Sequence, residues 1–225
     1  MAKKKIKKEK KTEGKKEERK KTNYEMQIML IIFCMAVIIL LIFAISFLVQ
    51  ESKKFNYAGL RFTKGQQGNL ILYFTNIPLK DETGKVQAYL PLYFREDPRK
   101  LSRIGTDAEI MLKPVVAMAA DSITVESCQD TILAAMTLSL KFFGGVGIKS
   151  FPATTNKSEA DTLNRTYVNC SKNANYSIIQ FEMGNESRIT EEGNCYTLEF
   201  ANCEIMNVTE RFMLVAYAQS ENKEI

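Results

Sequence analysis

The chain has 225 residues and a formal net charge of +5, from 31 Lys and Arg against 26 Asp and Glu. It contains neither histidine nor tryptophan. The lack of histidine excludes a Ser-His-Asp or Cys-His nucleophile and any histidine metal site.

The charge is concentrated at one end. Residues 1–25 hold eleven lysines and Arg19 against five glutamates, a net of +7, which leaves −2 for residues 26–225. Low hydrophobicity and like charge predict a disordered, solvated cytoplasmic tail over residues 1–27. Its lysines would touch anionic lipid headgroups, each contributing about 1 kcal/mol near an anionic leaflet. With no aromatic residue before Tyr24 and a single arginine, the tail is not patterned for specific nucleic-acid binding.

Ile28 to Val49 follows as 22 residues without a charge, sixteen of them Ile, Leu, Phe or Val. As a helix this run is about 33 Å long, matching a bilayer core of about 30 Å. Only Lys53 and Lys54 flank it on the far side. Positive-inside bias therefore predicts a single-pass, type II arrangement, with the N-terminus cytoplasmic and the rest extracellular. Ala44-Ile45-Ser46 has the spacing of a cleavage site. The apolar run is longer than a secretory h-region of about 7–15 residues, so an uncleaved signal-anchor is expected.

Cys34 lies in the span, and Cys128, Cys170, Cys195 and Cys203 follow it. An even count in an exported domain predicts two disulfides. The short interval favours Cys195–Cys203 as a hairpin bridge, leaving Cys128–Cys170. No Cys-x-x-Cys pair exists to suggest zinc or thiol exchange. Asn-x-Ser/Thr triplets begin at Asn156, Asn164, Asn169, Asn175, Asn185 and Asn207. The composition of that window would give about 1.5 by chance, so N-glycosylation is expected.

Residues 50–68 read as a juxtamembrane link, 69–219 as the exported domain and 220–225 as a C-terminal tail. Strands are predicted at 70–74, ending before Pro78, and at 86–94, where Pro91 implies an edge position. Further strands are predicted in 110–119, 148–152, 176–183 and 195–200. The clearest helix starts near Cys128, with Ser127 and Asp130 resembling a capping box. Ile132, Leu133, Met136, Leu140 and Phe143 form its apolar stripe, and Gly144-Gly145 its end. Residues 211–218 suit a central strand or a helix capped by Asn207 or Thr209. The expected class is α/β or α+β: a mixed sheet with one main packed helix.

Two clusters could carry chemistry. Arg95 and Arg99 could clamp an anion, or lie in a turn begun by Asp97-Pro98. Asp121, Glu126 and Asp130 could do acid–base work as paired carboxylates or bind calcium, although acids at a helix start are expected in any case because they complement the dipole. The glycine pair stands at a helix C-terminus, which argues against a phosphate loop. No cofactor or metal is implied. The expected function is a non-catalytic surface module that binds an unknown protein or copies of itself. The alternatives are an exported carboxylate-dependent enzyme acting on envelope polymers, and lipid or RNA docking through the tail.

Overall fold

The computed structural model describes residues 26, 29–51, 53–81, 83–171 and 175–223, so the basic tail lies outside the described residues. The chain divides into two units, one up to Ser52 and the other from Lys53.

The first unit holds helix α1, Met29–Glu51, with a mean hydropathy of 3.2 and no part buried by the rest of the chain. It is long and apolar enough to cross a membrane. Together with the two disulfides described below, it marks a secreted or membrane-anchored protein.

The second unit opens with an antiparallel sheet in the order β1 (Lys54–Tyr57), β2 (Leu60–Gln67), β3 (Leu70–Lys80), β4 (Val86–Phe94). Residues 54–67, expected to be a link, are therefore two strands. A tight turn at Ala58 and Gly59, both with positive φ, separates them. Strand β3 continues through Pro78, which pairs with Tyr89. Strand β4, with Pro91, is the sheet edge.

The larger sheet contains β5 (Gly105–Thr106), β6 (Val115–Ala119), β7 (Lys149–Thr154), β8 (Thr166–Tyr167), β9 (Ser177–Met183), β10 (Arg188–Glu192) and β11 (Cys195–Phe200). Their order is β5-β10-β11-β9-β6-β7-β8. Every neighbouring pair is parallel except β10–β11. The sheet is thus mixed, as expected, but an antiparallel sheet accompanies it.

Residues 211–218 belong to helix α6, Ile205–Ser220, which is the main packed helix. Thirteen of its sixteen residues are buried, so it lacks the polar face that would have revealed a helical period. One continuous core joins Phe62, Leu92 and Phe94 of the small sheet, Phe212 and Val215 of α6, and Phe181, Leu198 and Phe200 of the large sheet. Ala117, Ala119, Ala153 and Ile178 belong to a second, smaller cluster. In β6 these alanines alternate with Val116 and Met118 of the main core, as side chains on opposite faces of a strand must.

The disulfides are Cys128–Cys203 and Cys170–Cys195, with Cα separations of 5.4 and 5.3 Å. The expected Cys195–Cys203 pairing is therefore wrong. Cys195 begins β11, and Cys203 lies beyond its far end. Five strand steps at about 3.3 Å separate them by far more than the roughly 7 Å a bridge can span.

Candidate functional site

Strands β6, β7 and β9 are adjacent and parallel. The chain moves from β6 outward to β7 and β8, then returns to place β9 on the other side of β6. That reversal opens a crevice at the carboxyl ends of the strands, the usual place for a ligand in an open α/β sheet. A helical crossover covers it: α2 (Ser122–Ser127), α3 (Thr131–Met136), a π-helical segment (Thr137–Phe143) and α4 (Gly144–Val146).

The crossover begins with Asp121, whose Oδ1 accepts from Thr124 N at 2.7 Å. The proposed capping box does not form, because Ser127 ends α2 and Asp130 makes no side-chain cap. Thr131 Oγ1 instead donates to Cys128 O at 2.8 Å. Gly144 is right-handed, and the helix ends at Gly147, with φ 83°. Gly145 permits close approach to β4, since a Cβ there would lie 2.4 Å from Leu90 Cδ1. Gly147 has open space around it, so Gly147→Ala should cost about 1 kcal/mol through backbone strain alone. Urea unfolding of the two chains measures that difference.

The crossover has two apolar stripes. Ala134, Leu138 and Phe142 face the core, at helical spacing. Ile132, Met136 and Leu140, expected in the core, face outward at 61, 50 and 63% exposure. Leu133 is also exposed, and of the expected stripe only Phe143 is fully buried. The π-helical segment lies within this face, and such insertions accompany functional sites.

The exposed ridge runs between two grooves. One, of about 460 Å³, lies over the crevice and is lined by Met118, Ile132, Met136, Leu140, Phe151 and Phe181. Its polar groups include the hydroxyls of Ser139 and Ser150, 2.7 Å apart, and Arg165. The other, of about 660 Å³, runs between the ridge and β4, lined by Leu90, Tyr93, Leu133, Leu140 and Lys141. Both volumes fall within the range of about 300–1,000 Å³ typical of ligand sites.

The candidate acids do not converge on these grooves. Asp121 and Glu126 line neither, and Arg95 reaches only the second. The backbone at the start of α2 is already answered: both carboxylate oxygens of Glu159 accept from Ser122 N, at 3.1 and 3.2 Å. Glu159 comes from α5 (Lys157–Leu163), N-capped by Asn156. Among the described residues no group of three or more His, Cys, Asp or Glu could hold a metal.

Arg95 and Arg99 are not brought together as a clamp. Arg95 Nη1 contacts both oxygens of Asp130 at 3.3 Å. Arg99 forks onto Asp97 at 2.9 and 2.6 Å and stacks 4.1 Å from the Phe55 ring. The pairing holds the Asp97 carboxyl below its ordinary range. Asp97 also caps the 3-10 turn Pro98–Arg103.

Sequence reasoning missed Glu210. It is fully buried in α6, and its oxygens accept from Arg95 N at 2.6 Å and Glu96 N at 3.2 Å. Burial pushes its carboxyl up to about 8, against the opposing pull of those two hydrogen bonds and of Arg95. The only sequence signal is an acid-base pair, Glu210-Arg211, inside an apolar run. Arg211 is also buried, with Nη1 3.5 Å from Tyr57 Oη and Nε without a partner.

Comparison with protein-family models, curated proteins and solved structures finds no match for this chain. The sequons therefore take their meaning from their positions alone. Asn156, Asn164, Asn175 and Asn185 are exposed, and Asn169 is half-buried. Asn207 is half-buried in α6, and the Thr209 of its triplet is fully buried. None of the six lies on the ridge. Asn164 adjoins Arg165 at the first groove, and Asn207 adjoins Met206 at the second.

Proposed function

We propose that this chain is a single-pass, membrane-anchored cell-surface protein whose exported domain is a non-catalytic interaction or assembly module. One observation carries the reading: the outward ridge of Ile132, Met136 and Leu140, set between two apolar grooves. Contiguous exposed apolar surface of this kind marks association sites on soluble domains. A helical ridge between grooves also suits side-by-side docking of a partner element.

The neighbouring chemistry favours binding over catalysis. The grooves lack converging carboxylates, and the chain has no histidine to act as a base. The tail charge and α1 support the cytoplasmic-to-extracellular orientation through the positive-inside rule. Paired cysteines and clustered sequons agree with an oxidising, exported setting.

Charging the ridge tests this function. Ile132→Asp combined with Leu140→Asp should abolish cross-linked complexes recovered from native membranes. Because both side chains are already solvent-facing, the unfolding midpoint should move by no more than about 0.5 kcal/mol equivalent. Unchanged complexes on a stably folded double variant would rule out the ridge as the contact.

A further inference from the structure

We infer that the first groove binds a single-chain amphiphile with a carboxylate head, a medium-length fatty acid. Arg165 holds the carboxylate, and the apolar walls take the chain. This goes beyond the ridge as a protein contact and does not depend on it.

The first support is how the walls treat their own polar groups. Among the described residues, side-chain polar atoms reach the groove only from Thr131, Ser139, Ser150 and Arg165. Thr131 Oγ1 is directed to the backbone, with Cys128 O at 2.8 Å and Thr124 O at 3.2 Å. The hydroxyls of Ser139 and Ser150 answer each other at 2.7 Å. A sugar or a nucleotide needs several convergent donors and acceptors, and here most of its polar groups would be left unpaired. An acyl chain has none to leave.

The second support is charge. Arg165 is the one charged residue in the lining, and no acid joins it. Arg95, Arg99, Arg103 and Arg188 each meet a carboxylate. Among the described residues the Arg165 guanidinium meets none, and only its backbone N–H is used, donating to Ala160 O at 3.0 Å. Glu159, on the preceding helix α5, accepts instead from Ser122 N and Thr154 Oγ1. A guanidinium matches a carboxylate through two parallel hydrogen bonds. One positive charge also balances one carboxylate. A phosphate monoester, at about −1.5 to −2, would keep uncompensated charge beside an apolar wall.

The third support is dimension. Thr166, next to Arg165, pairs with Ala153 near the carboxyl end of β7. Ser150 lies three residues back along that strand, about 10 Å away. On the other wall, residues 132–140 of the crossover span roughly 12 Å. Arg165 thus enters at one end of an apolar trough, as an amphiphile requires. It is itself exposed, so the head group stays at the water edge while the chain is covered.

Photo-affinity mapping tests this assignment. The full chain is reconstituted in phosphatidylcholine nanodiscs and illuminated with decanoate that carries a terminal diazirine, at a sub-saturating concentration. Adducts should fall in peptides that hold residues 132–140 and 150–153. Adducts in α1 report probe dissolved in the bilayer and serve as the internal standard. Arg165→Glu should lower the groove adducts about tenfold, as expected for loss of a charged hydrogen-bonded pair. Ala135→Phe, which fills a half-buried position in the lining, should lower them comparably. The α1 adducts should not change in either variant. The matching diazirine alcohol, decanol, should label the groove about tenfold less than the acid. A native chain unlabelled at the groove overturns the inference, whatever α1 shows. Groove labelling that is equal for acid and alcohol, or unchanged by Arg165→Glu or Ala135→Phe, overturns it too. Arg165 lies off the ridge, so Arg165→Glu should leave complexes made through the ridge intact, and the two readings fail separately.

Discussion

A chain carrying Glu210→Gln should be less stable than the native chain at pH 5 and more stable at pH 8. Burial raises the native carboxyl from its ordinary 4.5 to about 8. Between those values the folded state holds a proton that the unfolded state releases. The stabilisation is therefore fully present below pH 4.5 and is lost as pH rises toward 8. The loss is on the order of 5 kcal/mol across that window. Glutamine has no proton to lose, so its stability should be flat by comparison. Its single carbonyl oxygen can serve only one of the Arg95 and Glu96 N–H groups. Leaving the other unpaired costs about 1–3 kcal/mol, which sets the deficit at pH 5. Urea unfolding at the two pH values, followed by near-UV circular dichroism of the full chain in detergent, reads the crossing. Parallel stability curves would remove Glu210 from any pH response.

Cutting the Cys128–Cys203 bridge should have an effect of similar size at every pH. The bridge joins residues 75 apart, against 25 for Cys170–Cys195. In the chain-entropy model the longer loop contributes about 4.5 kcal/mol and the shorter about 3.5. The longer bridge also ties the end of α2 to the turn that starts α6, two segments that frame the ridge and the core helix. Cys128→Ser with Cys203→Ser should therefore destabilise more than Cys170→Ser with Cys195→Ser, measured by denaturant unfolding. Non-reducing peptide mapping provides the covalent check: a peptide joining Cys195 to Cys203 would contradict the pairing.

Sequence pattern revealed those elements whose patterning is local. Residues 176–183 and 195–200 show β-type apolar content or alternation, and both are strands. Pro91 announced an edge because a missing N–H is a local fact. The failures have tertiary causes. Helix α6 is buried on nearly every side, so no polar face marked its period. The crossover carried two apolar stripes of comparable strength. Packing chose Ala134, Leu138 and Phe142, whose small first member allows closer approach to the core. That choice turned an expected core face into the candidate docking ridge.

The site was legible only in part for the same reason. The sequence supplied Ile132, Met136 and Leu140 as a stripe, but not its direction. Arg95 and Arg99 stood out because charge is visible in a sequence. Their partners Asp130, Asp97 and Phe55 include residues distant along the chain, which only the fold brings near. Glu210 was hidden because a single acid in an apolar run gives no sign of the two backbone donors that it meets.

The most direct test of a surface-exposed interaction module uses Met136→Cys, in the middle of the ridge. Intact cells of the native host are treated with a membrane-impermeant, thiol-reactive photo-cross-linker, which cannot reach Cys34 within α1. The account predicts labelling from outside and, after illumination, a discrete adduct heavier than the single chain. Labelling only after lysis would contradict the extracellular placement, and labelling without an adduct would contradict the interaction.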